Sequence, residues 1–93
     1  MPEQKLKAYR FYTKIRNKET NKIAKKQFII VAYGFKEAKE LFEIIIENWK
    51  KWELIEISEI KRDFSKKWNN PYYMRHCYES LTKMVKRIME EEK

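Results

Sequence analysis

Between Lys5 and Arg16 apolar and polar positions alternate. Tyr9, Phe11 and Ile15, with Thr13 between them, fall on one parity; Arg10, Tyr12, Lys14 and Arg16 fall on the other. A period of two with an apolar side and a basic side predicts a strand of a sheet with one wet face. Asn17 to Lys22 is polar and rich in asparagine, as a hairpin connection should be. Ile23 to Tyr33 reads as the antiparallel return. Its second half, Phe28 to Tyr33, is a short β-branched and aromatic run that stops at the only glycine in the chain. Gly34 is read as the sharp exit from that strand, using backbone angles closed to other residues. It also serves as a helix N-cap, with Glu37 three residues on, where a capping carboxylate belongs.

The period then lengthens. Over Phe35 to Lys50, Ala38, Leu41, Phe42, Ile45 and Trp49 recur at helical spacing. Glu37, Glu40, Glu43 and Glu47 fall largely on the other side, near Lys36 and Lys39. Trp52 to Ile60 returns as a strand. Ile55 and Ile57 alternate there with Glu56, Ser58 and Glu59, while Leu54 and Ile60 leave the buried face open. A last helix is predicted from Pro71 to Met89, with Asn70 as its N-cap and Pro71 in the first turn. Its apolar stripe is Met74, Cys77, Leu81, Met84, Val85 and Ile88, and Arg75, Lys83, Lys86 and Arg87 make its outer surface. The tail Glu90-Glu91-Glu92-Lys93 is expected to be loose, because the macrodipole disfavours anions at a helix C-terminus.

These elements predict an α+β fold in one domain spanning residues 1–93. The order is β-β-α-β-α, with a three-stranded sheet and two helices packed on one face. Were the strands around the first helix parallel neighbours, their crossover would be right-handed. The strand ending near Ala32, the turn, Glu37-Ala38 opening a helix and the Ile-rich strand resemble small β-β-α-β modules of archaeal ribosomal and phage-encoded proteins. No family follows from this resemblance.

Composition narrows the class. At 93 residues and 43% apolar content the chain can build one core, with little stability to spare. No apolar run approaches the roughly 18 residues of a membrane helix. Met1-Pro2-Glu3-Gln4-Lys5 lacks the apolar segment of a signal peptide. One cysteine cannot make an intrachain disulfide. An intracellular, cytoplasmic protein without a membrane partner is expected, in a host cytoplasm if the source is viral. The net charge of +8 is unevenly spread. Residues 1–28 carry nine Lys/Arg and two Glu, residues 29–60 four Lys and seven Glu, and residues 61–93 nine Lys/Arg and five acids. Basic ends around an acidic centre argue for a polyanionic partner.

Two stretches are candidates to meet that partner. On the hairpin, Arg10, Tyr12, Lys14, Arg16, Lys25 and Lys26 are available to phosphates; the same lysines would also blunt an exposed sheet edge. In the connector Lys61 to Tyr73, basic residues alternate with aromatics, and Lys66, Lys67 and Trp68 are the binding candidates. Aromatic rings stack on unpaired bases while lysines track the backbone. The alternative is that Phe64 and Trp68 plug the edge of the core.

Catalytic chemistry finds little support. His76 and Cys77 are the only residues of their kinds and are adjacent on a helix, pointing in different directions, which excludes a structural zinc site and disfavours a Cys–His pair. Cys77 is read as a small core residue and His76 as a surface one. One glycine cannot build a phosphate-binding loop. Glu59-Ile60-Lys61 has the spacing of a nuclease strand, but the only aspartate, Asp63, follows it instead of preceding it. No enzyme, metal or cofactor is expected. The expectation is a small basic binding module for nucleic acid or a nucleoprotein complex. From a different class, a phage-type protein–protein inhibitor or adaptor, for example an anti-CRISPR acting on a host defence complex, fits the same composition.

Overall fold

The computed structural model describes residues 5–91. The alternation of the first segment is realised in β1, Lys7–Asn17, where Ala8, Tyr9, Phe11, Thr13 and Ile15 are buried. Asn17 shapes the turn that follows. Its Oδ1 accepts the Glu19 and Thr20 backbone N–H groups at 2.8 and 3.2 Å. Asn21 takes a left-handed φ of 61°, which asparagine tolerates. The chain returns as β2, Ile23–Ala32, antiparallel to β1. Helix α1, Phe35–Glu47, leads to β3, Trp52–Arg62, which pairs antiparallel with the other side of β1. The sheet order is therefore β2-β1-β3, and the two strands flanking α1 are parallel but separated by β1. A short 3-10 turn, Lys66–Asn69, precedes α2, Pro71–Glu91. The element order and the α+β class are those the sequence predicts.

Strand β3 settles its ambiguous pattern by bulging. Its register against β1 shifts between Tyr12 and Thr13 and again between Lys14 and Ile15, leaving Ser58 and Ile55 without opposite partners. The two extra residues turn a three-residue spacing into a strand. Leu54, Ile57 and Ile60 pair with Ile15, Thr13 and Phe11 on the core side. Glu53, Glu56 and Glu59 pair with Arg16, Lys14 and Tyr12 on the other. Ile55 is 43% exposed, so the face left open by the alternation is settled in favour of Leu54, Ile57 and Ile60.

One core joins Tyr9, Phe11, Ile30 and Ala32 of the sheet to Ala38, Leu41, Phe42 and Ile46 of α1 and Val85 of α2. Phe11 and Phe42 meet with ring centroids 4.7 Å apart. Ile46, at i+4 and i+8 from Phe42 and Ala38, holds the buried position; Ile45 and Trp49 flank the core half-exposed. A second cluster gathers Ala8, Val31 and Met74, with Leu6, Ile29, Trp68 and Cys77 packed against it. Alternation puts Ala8 and Val31 on the opposite side of the sheet from Tyr9 and Ile30. Helix α2 is thus not held by one face alone: Val85 joins the main core and Met74 the second cluster. Met84, placed in the apolar stripe by its spacing, is 48% exposed.

The start of α1 corrects the reading of its glycine. Gly34 has φ −159° and ψ 171°, extended backbone that any residue adopts, and nothing lies within 4 Å of where a Cβ would stand. Glu37 organises the turn. Its Oε1 accepts the Tyr33 backbone N–H at 2.8 Å and its Oε2 accepts the Tyr78 hydroxyl of α2 at 2.8 Å. Burial, then the Glu37 bond, pushes the Tyr78 phenol up from 10.0 to about 12. Asn70 caps α2 as expected, its Oδ1 accepting the Tyr72 and Tyr73 N–H groups at 3.0 and 3.2 Å. Glu90 and Glu91, assigned to a loose tail, belong to α2. Glu92, Lys93 and the Met1 to Gln4 segment lie outside the described residues.

Candidate nucleic-acid interface

The hairpin residues do not form one surface. Arg10, Tyr12, Lys14 and Arg16 share the polar face of β1, and Lys25 joins them opposite Lys14. Lys26 pairs with Thr13 on the other face, where it lines a cavity with Ile15, Ala24, Trp49 and Trp52. The polar face also carries the acids of β3. Lys14 Nζ lies 3.7 Å from Glu56 Oε1, and Arg16 is ion-paired with Glu53. Arg10 reaches past the end of β3 to Asp63, 3.1 Å away, and donates to Gln27 at 2.7 Å. Lys61 contacts Glu59 at 3.5 Å. The basic first strand thus faces the acidic third strand, and its charge is largely compensated.

Asp63 ties that face to the connector. Its side chain is 7% exposed. One oxygen accepts the Ser65 hydroxyl at 2.6 Å and the Ser65 N–H at 3.0 Å. The other accepts the Trp68 indole N–H at 3.0 Å and the Arg10 guanidinium at 3.1 Å. The Ser65 hydroxyl foremost, then Trp68, hold this carboxyl well below the usual range against the opposing effect of burial. The aspartate that sequence reading treats as a misplaced metal ligand is the fastening of the connector.

The connector carries charge with less compensation. Residues 61–75 contain Lys61, Arg62, Lys66, Lys67 and Arg75 against Asp63 alone. Phe64 and Tyr72 are 77% and 83% exposed, so Phe64 does not plug the core. The Arg62 guanidinium lies 4.9 Å from the Phe64 ring centroid, within cation–π range. Trp68 is half-buried against the second cluster, edge-on to Tyr73 with centroids 5.4 Å apart, and Lys67 Nζ is 4.9 Å from its ring. Trp68 is therefore both fastened and partly accessible. Phe64, expected from the sequence only as a core plug, joins Tyr72 and Arg62 as additions to the binding candidates; their signal is large aromatics beside Lys/Arg in a stretch without apolar periodicity.

Cys77 is half-buried beside the second cluster and His76 is exposed. Among the described residues, no three His, Cys, Asp or Glu side chains gather where they could hold a metal ion, and no helix is long and apolar enough to cross a membrane. Comparison with protein-family models, curated proteins and solved structures gives no match.

Proposed function

We propose that the chain is a small non-enzymatic module that binds nucleic acid through its connector and the start of α2, residues 61–75, more than through the basic face of its hairpin. The observation that supports this is the pairing of exposed Phe64 and Tyr72 with Arg62, Lys66 and Lys67, in a segment whose one carboxylate is already bound by Ser65, Trp68 and Arg10. Exposed rings supply stacking and uncompensated cations supply phosphate contacts. On the hairpin, a phosphate would have to displace Glu53, Glu56 or Asp63 first. Fluorescence anisotropy with a labelled single-stranded oligonucleotide over a salt series tests the reading. Lys66→Glu with Lys67→Glu should weaken binding and flatten the salt dependence. A normal affinity in that variant would remove the connector from the interface.

An inhibitor or adaptor role is favoured by a different observation, the exposed Met84 and Met89 on α2, since methionine suits adaptable protein surfaces. A pull-down with and without nuclease separates the two: a partner retained after nuclease and lost on Met84→Glu with Met89→Glu supports the protein-binding role.

A further inference from the structure

A cleft of about 680 Å³ opens where the start of the described chain, the end of β2 and the beginning of α2 converge. Its size is that of a pocket for a small organic ligand, roughly 300–1,000 Å³. Leu6 and Met74 line it and belong to the second apolar cluster, so part of its lining is apolar. Tyr33 and Trp68 are its aromatic walls, and Lys5 and Arg75, both exposed, are the cations in its lining. Neither cation is in an ion pair among the described residues. The Trp68 ring is held in place before any ligand arrives, by its bond to Asp63 and its edge contact with Tyr73. Lys67 brings a further cation to the same ring.

We propose that this cleft receives one unpaired nucleobase, with the base against Trp68 and Tyr33 and its flanking phosphates on Lys5 and Arg75. The proposal rests on the connector being a nucleic-acid interface and narrows its ligand to single strands. A base inside a duplex is covered on both faces by its neighbours and must leave the stack before it can enter such a pocket. A flexible single strand presents its bases and its phosphates together, which a lining of aromatic, apolar and basic residues matches.

The test compares a labelled oligo-deoxythymidine with a blunt duplex of equal length at matched salt, on the full chain. The single strand should bind about tenfold more tightly, the order of one stacked base. Lys5→Glu with Arg75→Glu should remove most of that preference and leave duplex binding nearly unchanged. The single strand should also quench tryptophan fluorescence, and Trp68→Phe should abolish the quenching. Arg75→Ala repeats the comparison with a milder change at the helix. Single-strand binding that keeps its affinity and its preference in the charge-reversed variant overturns the cleft while leaving the connector in place. Equal binding of both ligands that depends on Lys66 and Lys67 has the same meaning. Binding of neither ligand by the unaltered chain at low salt overturns both proposals.

Discussion

On the polar face of the sheet, Arg10, Lys14 and Arg16 of β1 each meet a carboxylate, Asp63, Glu56 and Glu53 in turn. Lys66 and Lys67 of the connector and Arg75 at the start of α2 meet none among the described residues, and the Trp68 ring stands beside Lys67 instead. Both regions look alike as sequence, each basic and each containing aromatics. The difference is made by what lies across from them. Strand pairing brings the acidic centre of the chain against its basic beginning, whereas the connector turns away past the end of β3. A segment's charge becomes a surface potential only after its spatial neighbours are counted.

The scaffold common to both regions gives the largest expected effect. Phe11 is fully buried against Phe42. Phe11→Ala should cost about 3–5 kcal/mol in a denaturant melt. Ile46→Glu should prevent cooperative folding, because it puts an unpaired charge in the core. A cooperative melt of Ile46→Glu near the parent midpoint would refute the assigned face of α1.

Asp63→Asn comes next, because it strikes the joint between the regions. It leaves Arg10 and the Trp68 indole with a poorer acceptor and should cost about 1–3 kcal/mol at neutral pH. The sign of its pH dependence is fixed by the lowered carboxyl. Asp63 contributes stability above its unfolded value of 3.8, and that contribution drains as pH falls below it. The parent should therefore lose stability into acid more steeply than Asp63→Asn; parallel acid limbs would deny the carboxylate its fastening role.

Charge removal sharpens the contrast directly. Lys14→Ala and Arg16→Ala should each change stability by under about 1 kcal/mol, since their partners are half-exposed. Combined, they should also barely move the salt slope of single-strand binding. Lys66→Ala with Lys67→Ala should lower that slope by about 0.7 for each phosphate no longer neutralised. Equal slopes in the two double variants would erase the distinction between the regions.

A separate effect lies at Tyr78, which belongs to neither charge set. Its phenol is raised from 10.0 to about 12, so the stability it adds is complete below pH 10 and is lost as pH rises towards 12. Tyr78→Phe should cost about 1 kcal/mol at neutral pH and flatten the alkaline limb of a stability–pH profile. An unchanged limb would assign that loss to other groups.

Periodicity and cap residues determined the element order, both helix starts and the two sides of β1, because these depend on neighbours close in sequence. A period of two, a helical period and an Asn-Pro cap are local signals. They also located the connector as unusual, including Lys66, Lys67 and Trp68. Tertiary structure decided the rest. Glu53, Glu56 and Glu59 face the basic strand only because two bulges keep a three-residue spacing in register, and no local pattern announces a bulge. Lys25 and Lys26 separate because neighbours in a strand point to opposite faces, and β1 selects which face each joins. Gly34 needs no special conformation, and Glu37 holds the turn by reaching a tyrosine of α2. Asp63 fastens Trp68 and Arg10 because a carboxylate withdrawn from water must gather its donors; Ser65 lies two residues on, but Arg10 is on a different strand that only folding brings near.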